Sequence, residues 1–138
     1  MIPRVVIDSC IAFKWFWQAD ESGVAEAFAL LEASARDEVA LVAPGSLTLE
    51  LANALRYSKH TEENVLAALE QLDLPHVQQF EITPARLHAA TLLSYRHCIS
   101  VYDALFLALA EELDCPLVTA DRRAFGGIES GTEIRMLT

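Results

Sequence analysis

The stretch from Ser100 to Asp121, SVYDALFLALAEELDCPLVTAD, does most to limit what this chain can fold into. From Val101 to Leu113 apolar residues fall on nearly every helical face, which predicts a helix packed on most sides rather than half-solvated. Pro116-Leu-Val-Thr-Ala is too short for a helix and reads as an interior strand. An acid stands at each end. Asp103 lies in the helix's first turn, three residues after a capping Ser100, and Asp121 closes the strand. A carboxylate beside Val101, Ala104, Leu105 and Phe106 borders dry surroundings, which is costly without compensation.

The rest of the chain supports such a core. At 138 residues and 53% hydrophobic composition it has the length and apolar content of one domain, spanning residues 1–138. The longest apolar run, Ala104 to Ala110, is far too short to span a bilayer, and MIPRVVIDSC enters a strand with no leader pattern. No membrane association and a cytoplasmic location are therefore expected. Cys10, Cys98 and Cys115 are odd in number and fit no metal spacing, so they read as reduced, mostly buried thiols. A net charge of −10 excludes a protein that coats nucleic acid through general basicity. It leaves room for a local site where divalent metal ions bridge carboxylates to phosphate.

Read in order, the chain alternates strands with helices. Arg4 to Asp8 is an apolar strand ending in an acid, and Ile11 to Trp17 a short aromatic helix. Glu21 to Ala35 has helical periodicity through Val24, Ala27, Phe28, Leu31 and Ala35. Val39 to Ala43 is a second strand, closed by Pro44-Gly45. Ser46 caps a helix to about Tyr57, with Leu47, Leu51, Ala54 and Leu55 inward, and Thr61 caps another that opens on Glu62 and Glu63. Val77 to Ile82 is a third strand. Thr83-Pro84 starts a helix to about His97, and Ile134 to Leu137 is a final strand after the turns at Gly126-Gly127 and Ser130-Gly131. Strands lacking polar alternation and separated by helices predict an α/β fold, a central parallel sheet of four to five strands flanked by helices.

That topology unites four acids. Singly, Asp8 and Asp121 read as caps for the helices after them, Asp103 as part of a capping box with Ser100, and Glu50 as an acid in the first turns of its helix. In a parallel sheet, strand C-termini and the N-termini of the connecting helices share one edge, where open α/β sheets hold ligands. Asp8, Glu50, Asp103 and Asp121 all fall there, with Asn53 beside Glu50 at the border of the buried face. Converging carboxylates repel unless a hard cation joins them, and an all-oxygen set suits Mg²⁺ or Mn²⁺. His60, His76, His88 and His97 match no zinc spacing. Such a site suits phosphodiester hydrolysis.

Val5-Val-Ile-Asp-Ser with Lys14-Trp-Phe, Ala43-Pro before Glu50-Leu-Ala-Asn-Ala-Leu, Ser100-Val-Tyr-Asp-Ala-Leu and Leu117-Val-Thr-Ala-Asp together resemble a PIN-domain ribonuclease. Within that family the chain is most similar to VapC-type toxins of toxin–antitoxin pairs, over essentially its whole length. The resemblance implies a PIN-like fold and a Mg²⁺- or Mn²⁺-dependent endoribonuclease with Asp8, Glu50, Asp103 and Asp121 as catalytic and metal-holding acids. It implies supporting hydroxyls at Ser9 and Thr119, an RNA substrate, a homodimer, and a cognate antitoxin that covers the groove. Some relatives carry a further acid shortly after the last one; here Arg122-Arg123-Ala124-Phe125 comes after Asp121. Arg122 and Arg123, with Lys14 and, less well placed, Arg56, Lys59 and Arg96, are candidates for positioning phosphates. The run Phe13, Trp15, Phe16, Trp17 reads as core and dimer contact before it reads as a base-stacking surface.

Other readings fare worse. A haloacid-dehalogenase-type phosphotransferase needs a second acid where this chain has Cys10, and a later lysine, yet none follows Lys59. A receiver domain fails on the same lysine, and no GK[ST] or G-x-G-x-x-G loop occurs. The alternative from another class is a PIN fold retained as a non-catalytic RNA- or protein-binding module. Loss of some of the acids is the mark of such a module, and all four are present.

Overall fold

A computed structural model describes residues 1–19, 21–72 and 76–137. Its elements are β1 (Arg4–Ile7), α1 (Ser9–Phe16), α2 (Val24–Ala35), β2 (Ala40–Pro44), α3 (Ser46–Arg56), α4 (Glu62–Leu72), β3 (Val77–Phe80), α5 (Pro84–His97), α6 (Val101–Leu113), β4 (Leu117–Thr119), α7 (Arg122–Phe125) and β5 (Ile134–Met136). The strands form one five-stranded sheet in the order β3-β2-β1-β4-β5, every pair parallel. The predicted fold class holds, at the upper strand count.

The order explains the patterning. β1 and β2 have neighbours on both sides and are almost wholly buried, whereas β3, at an edge, buries only Val77 fully. Helix α6 packs against β1, β2, β4 and α5, and Ala104 to Ala110 are buried without a break. Ser100 caps this helix by accepting the Asp103 amide at 3.0 Å, and Asp114 ends it in the left-handed region at φ 50°. Asp tolerates that conformation better than most residues. Phe106 and Leu107 are fully buried here, each stabilising the fold by about 1.5–3 kcal/mol. Phe106→Ala would cost about 3–5 kcal/mol.

Element boundaries differ from the sequence reading for identifiable reasons. The first helix starts at Ser9 rather than Ile11, because Asp8 caps it through the Ser9 amide at 2.8 Å. The second starts at Val24 rather than Glu21, since Glu21 reaches back to Lys14 instead. Of its predicted apolar face only Ala27 is fully buried, and on α3 Ala54 is exposed. β3 stops before Ile82, where a turn brings the Thr83 amide to the Glu81 carbonyl at 3.1 Å. Leu137 lies outside β5, yet its amide still reaches the Thr119 carbonyl at 2.8 Å. Of the cysteines, all free, Cys115 is buried, Cys10 half-buried and Cys98 exposed, so the expectation of mostly buried thiols holds only in part. Among the described residues no helix is long and apolar enough to cross a membrane.

Candidate active site

The carboxyl edge of the sheet gathers the predicted acids. Asp8 follows β1 directly, and its amide bonds the Val118 carbonyl at 3.0 Å, so it sits beside the end of β4. The residue is only 3% exposed. Oδ1 accepts the Ser9 amide at 2.8 Å; Oδ2 accepts the Thr119 hydroxyl at 2.7 Å and the Cys10 thiol at 3.5 Å. Burial pushes the Asp8 carboxyl up to about 6, against the pull of the Thr119 and Ser9 hydrogen bonds, and the Asp103 charge adds to the rise. Burial also pushes the Cys10 thiol up to about 12, helped by the Asp8 charge, so it remains a protonated donor.

Glu50 projects from the second turn of α3, half-buried. Burial, then the charges of Asp8 and Asp103, raises it to about 7. Ser9 Oγ donates to its Oε1 over a long 3.4 Å, while Oε2 is buried with no partner. Ser46 Oγ, one turn earlier on α3, faces Glu50 closely enough to pull its pKa down, yet neither Ser46 Oγ nor Oε2 has a partner within hydrogen-bond distance among the described residues. Gly45, not Ser46 as the sequence suggested, is the N-cap of α3. Asp103 is raised by burial and by the Asp121 charge, against its hydrogen bonding to Ser100. Asp121 caps α7 through the Ala124 amide at 3.0 Å, and its own amide donates to Thr119 Oγ1 at 3.0 Å. Asp103, Asp121 and Arg123 line an open cleft of about 330 Å³ with Cys98, Ile99, Ser100 and Ala124.

Along the rim the Asp121 charge thus acts on Asp103, the Asp103 charge on Asp8, and the charges of Asp8 and Asp103 on Glu50. Among the described residues, however, no three acid, histidine or cysteine side chains close into a ready-made cage. An orphaned carboxylate oxygen and an all-oxygen donor set still fit a hard cation. Mg²⁺ in particular keeps several waters and uses one or two carboxylates at a time.

The other nominated residues divide. Thr119 and Ser9 touch the acids as described. Asn53 is exposed beside Glu50, with no hydrogen bond to it among the described residues. Arg122 and Arg123 are exposed, and neither pairs with a carboxylate among the described residues. Lys14 corrects the sequence reading: it is 4% exposed and bonds Glu21 at 2.8 Å, so it is not a free cation facing substrate. Its place inside the aromatic run puts it on the buried side of α1, where only a paired ammonium is tolerated. The neighbouring aromatics are structural, Trp15 donating to the Ala27 carbonyl at 2.9 Å and Trp17 meeting His60 edge-on at 5.0 Å. The sequence reading leaves Cys10 outside the site, yet its thiol touches Asp8 Oδ2 at 3.5 Å. Its only signal was its position two residues after Asp8.

Carboxylates strung along the carboxyl edge of a wholly parallel sheet define an α/β protein with an acidic site. The chain belongs to the PIN-domain family, which it matches over residues 5–128. It is 35% identical to Ribonuclease VapC1 of Mycobacterium tuberculosis, over 69% of this chain and 73% of that protein. Among solved structures the fold resembles VapBC2 from Rickettsia felis bound to a promoter DNA fragment, with a TM-score of 0.72 at 15% identity over 98% of this chain and 99% of that one. DNA-bound VapBC from Salmonella typhimurium gives 0.66 at 18% identity over 99% and 98%.

Proposed function

We propose that the chain is a metal-dependent endoribonuclease, the toxin of a type II toxin–antitoxin pair, acting in the cytoplasm as a homodimer. The observation that carries this reading is the coupled acid rim, with Glu50 Oε2 buried and unpartnered, on a chain related to a VapC ribonuclease. Asp8, Glu50, Asp103 and Asp121 are the residues assigned to hold Mg²⁺ or Mn²⁺. When bound, such an ion lowers the pKa of water and offsets negative charge on the phosphate.

The protein's own groups have separable roles. The Ser9 amide and Thr119 hydroxyl fix both oxygens of Asp8, so its carboxylate is pre-oriented rather than searching. Glu50 is raised to about 7 by burial and by the charges of Asp8 and Asp103, and a cation held there would offset that repulsion and keep it an ionised ligand. Arg123, on the cleft beside Asp103 and Asp121, is assigned to the RNA phosphate, with Arg122 next to it.

The test is cleavage of a structured RNA in Mg²⁺ or Mn²⁺, with chelator as control. Asp8→Asn and Asp103→Asn should each nearly abolish cleavage while the fold is kept. A wild-type rate in either variant removes that residue from the set, and undiminished cleavage in chelator removes the metal. For the partner, we infer an antitoxin that sends an arginine to the acid rim, where a planar guanidinium bridges two carboxylates. A complex that leaves the rim open to solvent overturns this mode of inhibition without touching the enzyme assignment.

A further inference from the structure

We propose that Cys10 is a positioning residue of this site: its sulfur ties the Ala120 amide to the Asp8 carboxylate and so fixes the spacing between Asp8 and Asp121. The inference rests on the reading of Asp8 and Asp121 as members of one catalytic set. Three contacts carry it. Ala120 N donates to Cys10 Sγ at 3.3 Å, Sγ lies 3.5 Å from Asp8 Oδ2, and Sγ lies 3.7 Å from Thr119 Oγ1.

Proton counting gives each contact a direction. Thr119 has one hydroxyl hydrogen, which points to Asp8 Oδ2 at 2.7 Å, so Oγ1 is the acceptor for the Asp121 amide at 3.0 Å. The thiol hydrogen is then left to face Oδ2 and Oγ1, while the sulfur accepts from Ala120. Two rungs therefore connect Asp8 to the segment beyond β4. One runs through Thr119 to the amide of Asp121, the other through Cys10 to the amide of Ala120. A single rung through a rotatable hydroxyl would let the Ala120–Asp121 segment pivot. The second comes from a different element, α1, and stops that rotation.

The test compares Cys10→Ser, which keeps a donor and an acceptor, with Cys10→Val, which fills similar space with neither. Cys10→Ala and Asp8→Asn accompany them. The Mn²⁺ concentration for half-maximal RNA cleavage should rise about tenfold in the Val and Ala variants, the usual scale for a lost partner of a metal ligand. It should stay within about threefold in Ser, with kcat at saturating Mn²⁺ changed less than the metal requirement. In metal-free protein the Ala120 and Asp121 amide NMR signals should move most in Val and Ala, a readout independent of activity and of how well Ala folds. A Val variant with wild-type metal requirement and unmoved amides overturns the proposal in favour of plain packing, and so does equal loss in Ser and Val. If Asp8→Asn cleaves RNA normally, the catalytic reading itself falls. If Asp8→Asn is inactive and Val behaves as wild type, only the positioning role falls.

Discussion

Thr119 and Asp8 stand 111 positions apart in the chain, yet the Thr119 hydroxyl donates to Asp8 Oδ2 at 2.7 Å in a fully buried contact. Parallel pairing of β1 with β4 brings them together, since Ile7 pairs with Val118 one residue before each. The hydroxyl offsets part of the cost of burying a carboxylate, and its lone pair takes the Asp121 amide.

Thr119→Val keeps the shape and deletes this link. At neutral pH it should destabilise the metal-free protein by about 1–3 kcal/mol, because a buried charge loses a donor. RNA cleavage should fall by roughly tenfold or more, as for other losses of a partner to a metal-holding carboxylate. Urea denaturation and single-turnover cleavage measure the two effects. A variant with wild-type stability and rate would show the contact to be incidental.

The raised carboxyls make stability depend on pH. Asp8 moves from 3.8 to about 6 and Glu50 from 4.5 to about 7, so between these values the folded protein holds more protons than the unfolded chain. Their contribution is therefore favourable below pH 4 and is lost as pH rises to about 7, then stays flat. For Asp8 the swing is on the order of 2–3 kcal/mol. In chelator, the melting temperature of Asp8→Asn relative to wild type should climb from pH 4 to pH 6 and then level. A constant offset across that range would mean that Asp8 titrates normally.

Lys14 and Glu21 pair at 2.8 Å, with side chains 5% and 28% exposed. The two halves are not equivalent. Glu21→Ala strands a buried ammonium and should cost about 1–3 kcal/mol, whereas Lys14→Met removes the charge and packs, and should be close to neutral. Thermal melts at neutral pH compare them. If Lys14→Met proves the worse of the two, burial of the charge does not govern this corner.

The sequence exposed what depends on chemistry along the chain. Apolar runs without alternation at Val5–Ile7 and Leu41–Ala43 marked interior parallel strands, and the parallel topology alone placed Asp8, Glu50, Asp103 and Asp121 on one rim. Contacts made across the fold stayed hidden. Lys14 read as a free cation because nothing in its neighbourhood tells that Glu21 folds back onto it. Cys10 read as a lone thiol because two of its three partners, Thr119 and Ala120, lie more than a hundred positions away, although the third, Asp8, is only two away. Asn53, on the wheel next to Glu50, turned outward, since the helix buries Leu51 and Leu55 and leaves Asn53 and Ala54 exposed between them.

The acid rim also predicts how the protein answers to metal without any substrate. With no cation, the Asp103 charge raises Asp8, the Asp8 and Asp103 charges raise Glu50, and the Asp121 charge raises Asp103, each on top of burial, so the site is electrostatically strained. Removing one charge relieves that strain, and Asp8→Asn or Asp103→Asn should leave the melting temperature in chelator unchanged or higher. Wild type should gain on adding Mn²⁺, since a ligand at a hundred times its dissociation constant contributes roughly 2.7 kcal/mol when it binds only the folded state. The variants bind the ion more weakly and should gain much less. Ionic strength must be matched, because general screening alone also relaxes like-charge repulsion. Mg²⁺ should act in the same direction as Mn²⁺, both being hard cations served by oxygen donors. Equal metal-induced shifts in wild type and both variants would show that the acids share no cation, leaving Asp8, Asp103 and Asp121 as helix caps and first-turn acids.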